Sequence, residues 1–177
     1  MKKLIAALLA AVTIAAFATG CMGGTPAPKV ATSDEAQSKD AADYENTFAG
    51  LCNYLWAYGY INPHEDNADI TYITMDYDLI GAVKGRKYTE QTKKKASIEI
   101  YEFDTAKSNA TADEVINSIR KDGTFTILDL PPVKATLSNN GKYMMVYQDT
   151  TIKEDDPENE AYKLREEITT LFKEFHQ

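Results

Sequence analysis

The sequence predicts an α+β domain, an antiparallel sheet of about five strands with helices packed mainly on one face. Three observations predict it. Stretches with apolar residues at helical spacing are interleaved with short stretches of alternating character. The run Ser138-Asn139-Asn140-Gly141 joins two of the alternating stretches as a hairpin turn. No internal period is visible that would indicate a repeat architecture.

From Asp43 to Tyr58, the residues Tyr44, Phe48, Leu51, Cys52 and Leu55 recur at helical spacing, and Gly59 with Asn62-Pro63 ends the run. His64 to Ile80 fits neither period and reads as a loop and a short helix ending at Gly81. Arg86 to Thr89 and Ala96 to Phe103 form two strands across the polar tip Glu90 to Lys95. Ile98 and Ile100 face one side of the sheet while Glu99, Tyr101 and Phe103 face the other, so the sheet is apolar or aromatic on parts of both faces. Even so, the element order predicts one covered face and one free to meet solvent or a partner.

Thr111-Ala112-Asp113-Glu114 is a capping box that starts a second helix, with Val115, Ile116 and Ile119 as its buried stripe and Gly123 closing it. Phe125 to Leu128 is a short strand, separated by Pro131-Pro132 from a hairpin of Val133 to Ser138 and Lys142 to Gln148. Pro157 opens the last helix, with Ala161, Leu164, Ile168, Leu171, Phe172 and Phe175 on its apolar face.

Ahead of this domain stands a leader. Lys2 and Lys3 precede an uncharged stretch from Leu4 to Gly20, and Ala18-Thr19-Gly20 leads into Cys21. This resembles the signal of bacterial lipoproteins, with Ala18 where that pattern favours Leu. The resemblance implies removal of residues 1–20, a diacylglycerol on the Cys21 thiol, and attachment to the membrane on its extracytoplasmic side. Residues 21–40 contain Gly23, Gly24, Pro26 and Pro28 and read as a flexible tether, leaving 41–177 as a single globular domain. The Ile98–Phe103 strand and the Asn140–Tyr143 hairpin are similar to those of small lipid-anchored surface proteins of Gram-positive bacteria. That likeness implies shared architecture and lends no catalytic residues.

Loss of Lys2 and Lys3 takes the net charge from −8 to −10. No basic cluster suggests a footprint on phosphates, so nucleic acid is not an expected partner. With Cys21 lipidated, Cys52 has no disulfide partner and sits on a helical apolar stripe, which predicts burial as a small hydrophobe. A Cys52 nucleophile would need a base, and His64 and His176 are the only imidazoles. The acids Glu65, Asp66, Asp69, Asp76 and Asp78, and those from Glu154 to Glu160, lack the glycine and alternation of a calcium loop. The two histidines lack zinc spacing, and the G-x-S-x-G, H-E-x-x-H and Gly-rich phosphate motifs are absent. No metal, cofactor or catalytic residue is expected.

Eleven tyrosines and one tryptophan stand out. Tyr54, Trp56, Tyr58 and Tyr60 lie close together at the end of the first helix, and Tyr101, Tyr143 and Tyr147 fall on strands. Such rings either wrap a small core with a wet edge or form a binding surface for sugars or proteins. Lys93-Lys94-Lys95 is likewise a solvated hairpin tip or a contact for anionic lipid or wall polymer. The expected role is noncatalytic binding of a cell-surface protein or envelope component. A receptor for a soluble glycan or peptide and an envelope hydrolase are the alternatives, the latter recognisable by carboxylates of shifted pKa in a cleft.

Overall fold

A computed structural model describes residues 38–62, 72–92 and 96–177. The leader, the tether up to residue 37, His64 with the acids Glu65, Asp66 and Asp69, and Lys93-Lys94-Lys95 lie outside the described residues.

The chain enters through a single 3-10 turn, Ala41–Asp43, and then forms α1, Phe48–Ala57. The helix begins later than its apolar spacing predicts, because Thr47 caps it by accepting from the Gly50 amide at 3.0 Å. Glu45 folds back over that first turn so closely that a Cβ on Gly50 would lie 2.0 Å from the Glu45 carbonyl oxygen. A glycine is therefore required in the first turn of this apolar helix.

Strand β1, Tyr72–Thr74, was not legible in the sequence; it is three residues long and mostly exposed, so burial leaves no alternating pattern on it. A 3-10 turn, Tyr77–Ile80, follows and stops at Gly81 with φ of 70°, as expected. The predicted hairpin is β2, Lys84–Thr89, with β3, Ala96–Glu102. Helix α2, Ala110–Asp122, closes at Gly123 with φ of 68°. Its cap is Asn109 rather than Thr111, which lies inside the first turn. Asn109 Oδ1 accepts from the Ala112 amide at 2.9 Å while its Nδ2 donates to the Gly81 carbonyl at 3.0 Å. One side chain thus starts the helix and fixes it to the turn before β2.

Beyond α2, the strand expected over Phe125 to Leu128 is only β4, Thr124–Phe125, and Leu128 has a positive φ of 52°. The single strand expected from Val133 to Ser138 is two, β5, Val133–Lys134, and β6, Thr136–Leu137. The break is at Ala135, whose amide donates to the Gly123 carbonyl at 3.0 Å. The turn into β7, Tyr143–Asp149, forms as predicted, with the Gly141 amide on the Ser138 carbonyl at 2.8 Å and Gly141 alone in this turn at positive φ. Helix α3, Glu160–Glu174, is capped by Asn159, which accepts from the Tyr162 amide, so Pro157 belongs to the preceding turn.

The main sheet is antiparallel in the order β1-β2-β3-β7-β6, and β4 with β5 makes a separate ribbon. Alternation decides what covers each face. Ile98 and Ile100 on β3 and Tyr143 and Met145 on β7 pack with α1 and α3. Tyr101, Phe103, Met144 and Val146 point the other way and pack with α2 and Phe125. Two of the three α-helices among the described residues share one face, as expected. The second face, expected to be free, is covered by α2 and the ribbon, because the rings and branched chains on it need removal from water as much as those opposite. Cys52 is buried in the α1–α3 core, its Sγ 3.2 Å from the Tyr88 hydroxyl.

Asn109→Ala should destabilise the protein by about 1–2 kcal/mol through the lost cap, with a further cost from the unpaired Gly81 carbonyl. Thr111→Ala, at an exposed position in the helix, should stay within about 0.5 kcal/mol. Urea unfolding of the two variants checks this, and an equal loss from both would return the cap to Thr111.

Candidate binding groove

The aromatic residues singled out in the sequence do not form one surface. Tyr54 and Tyr60 at the end of α1, and Tyr101 and Tyr143 on strands, are all buried, and burial pushes each phenol above its ordinary pKa. Tyr101 sits in the α2 core, where its hydroxyl donates to Glu99 at 2.9 Å. Tyr143 is across the sheet, bonded to Asn46 Oδ1 at 3.1 Å. These four rings are core, not platform. A tyrosine suits the edge of a small core because its ring is buried while its hydroxyl finds a partner.

Trp56, Tyr58 and Tyr147 remain half-buried. Tyr58 stacks on Tyr60 with ring centres 6.0 Å apart and donates its hydroxyl to the Lys39 carbonyl at 3.0 Å. Tyr44 does the same for the Ser38 carbonyl at 2.6 Å, and His176 Nε2 lies 2.6 Å from the Tyr44 carbonyl. This end of the aromatic cluster therefore holds the chain as it enters the domain. The structure brings Tyr54, Tyr58 and Tyr60 together, packs Trp56 and Tyr147 against the same core, and places Tyr101 across the sheet.

Tyr147 also lines a different feature. Because the chain leaves the main sheet at Ala135, β6 pairs with β7 only at Thr136 with Met145 and Leu137 with Met144. Past Met145, β7 continues with β3 on one side only. An open groove of about 960 Å³ follows this edge, with Arg165, Glu166, Thr169 and Lys173 of α3 on one wall and the β4–β5 ribbon on the other. The Tyr147 side chain packs against the α1–α3 core, and its buried hydroxyl has no hydrogen-bond partner among the described residues.

Two hydrogen bonds give the phase of the edge. The Phe103 amide donates to the Lys142 carbonyl on the β3 side, and the Ser138 amide donates to the Tyr143 carbonyl on the β6 side. Antiparallel pairing repeats every second residue, so Tyr147 and Asp149 turn their backbone N–H and C=O away from β3 and into the groove. The Asp149 carbonyl meets the Ile152 amide at 3.5 Å, and no described strand pairs with β7 at Tyr147 on this side. Periodicity could not have revealed this site, since nothing in Val133 to Ser138 marks where the strand splits.

An ion pair network joins the two walls of the groove. Glu154 accepts from Arg165 at 2.8 Å and from Lys134 at 2.9 Å. These bonds, Arg165 first, bring its carboxyl down to about 2. Such a group is a poor proton donor at neutral pH, the opposite of what a general acid requires. Among the described residues no three His, Cys, Asp or Glu side chains converge on a point that could hold a metal, and Cys52 lies in the core away from the groove. The arrangement can hold an extended guest by backbone hydrogen bonds.

The depressed Glu154 value sets a pH window. The clasp is complete above the ordinary carboxylate range and is lost as the pH falls through about 2. A carbon-13 titration should place the Glu154 midpoint near 2, and Arg165→Ala should move it upward, toward the ordinary 4.5. A wild-type midpoint near 4.5 would mean the clasp is absent in solution. No protein-family model, curated protein or solved structure matches this chain significantly.

Proposed function

We propose that this chain is a lipid-anchored extracytoplasmic binding domain that acts without catalysis, its partner a cell-surface protein or envelope component. The observation that carries the binding reading is the groove beside the one-sided stretch of β7. The leader carries the location. Lys2 and Lys3, the apolar stretch and the small residues before Cys21 suit lipid attachment at that thiol. Among the described residues no helix is long and apolar enough to cross a membrane. The segment from Cys21 to Gln37 can span at most about 60 Å at 3.3–3.6 Å per residue. A domain on such a lead meets partners in the layer next to the bilayer.

Glycan receptors commonly need flat aromatic faces, and Tyr54, Tyr60, Tyr101 and Tyr143 are buried here while Trp56 and Tyr58 are half-buried. The groove instead offers backbone donors and acceptors, which favours a protein partner. In a bacterial host, the wild-type chain should take up an alkyne fatty acid label and sediment with membranes, and Cys21→Ser should lose both properties. An unlabelled wild-type chain would remove the anchor from the proposal. A thermal-shift screen of the intact chain against peptides, glycans and muropeptides tests the binding part. A ligand at 100 times its Kd should add about 2.7 kcal/mol of apparent stability.

A further inference from the structure

We propose that the groove is a strand acceptor: an extended, net-cationic segment of a partner polypeptide pairs antiparallel with the free edge of β7, continuing the ladder that β6 abandons at Thr136. This rests on the binding reading above and names the ligand class of the same site.

The Tyr147 amide and carbonyl and the Asp149 amide face the groove from positions two residues apart, the spacing at which an added strand presents its own. Backbone groups that no strand pairs are a template for another chain. A sugar has no such repeat, and the one aromatic side chain along the groove, Tyr147, has its hydroxyl end buried. The guest's direction is set as well, since it enters where β6 ran antiparallel to β7.

Charge selects the kind of segment. The chain carries a net charge of −8, and the groove is lined by the bases Lys134, Arg165 and Lys173 against the acids Asp122, Asp149, Glu154 and Glu166, with Lys134 and Arg165 both held by Glu154. Approach of a cationic segment is favoured and that of an acidic one is opposed. A second copy of this chain is the wrong shape, because its β7 edge lies between the same two walls and cannot enter a groove that is walled by α3 and the ribbon.

The test uses the intact nitrogen-15-labelled chain in detergent and three blocked octapeptides. The first alternates Val with Thr and Lys, the second is identical but N-methylated at every residue, and the third has Glu in place of Lys. The first peptide should bind at millimolar concentration or below and slow exchange of the Tyr147 and Asp149 amides at least tenfold. The N-methylated peptide should not bind, and the acidic one should bind at least tenfold more weakly. Equal binding of the first two, no protection of those amides, or protection already present without peptide would overturn strand pairing. Equal binding of the first and third would overturn the cationic preference. If a glycan or muropeptide raises the melting temperature while the peptides fail, the strand acceptor falls and the binding reading stands. If nothing raises it, both fall.

Discussion

The two-sided burial of β3 against β7 is the constraint on which the rest of this structure depends. These two strands pair over their full length, and each sends apolar side chains to both faces. A sheet wet on one side would leave either Ile98, Ile100, Tyr143 and Met145 or Tyr101, Phe103, Met144 and Val146 in water. At about 1.5–3 kcal/mol for each large side chain, neither set can be left exposed in a domain whose net stability is about 5–15 kcal/mol. The consequence is three layers, with α1 and α3 on one side and α2 with the small ribbon on the other. The chain must cross from one layer to another, and the crossing at Ala135 separates β5 from β6.

Where local chemistry decides, the sequence could be read. The αL stops at Gly81, Gly123 and Gly141 and the stripe of α3 follow from residue type and spacing alone. Where two chemically similar local choices compete, tertiary contact decides. Asn109 and Thr111 can each cap a helix, but only the Asn109 amide also reaches the Gly81 carbonyl. The alternation of Val133 to Leu137 is continuous, yet the Ala135 amide bonds across to Gly123 and the strand divides between two sheets. Apolar and aromatic residues on both sides of β3 were visible in the sequence, and their demand for cover outweighed the inference of a free face drawn from element order.

The candidate site was the least legible part. Of the seven aromatic residues proposed as a surface, four serve the core, and only Tyr147 lines the groove. A tyrosine's amphipathic character suits a core edge and an interface equally, so composition alone does not distinguish them. The groove arises from a place where hydrogen bonding stops, and an unpaired backbone has no residue type of its own.

The entry clasp has a mechanical meaning. Tyr44 and Tyr58 hold the carbonyls of Ser38 and Lys39, and His176 meets the Tyr44 carbonyl while Asn140 donates to that of His176. A pull on the chain ahead of Ser38 is therefore received by α1 and by the residues just past α3, several hydrogen bonds sharing the load. The β3–β7 pair lies outside that line of force. Tension on the lead-in meets the bonds of Tyr44 and Tyr58 before it reaches the sheet.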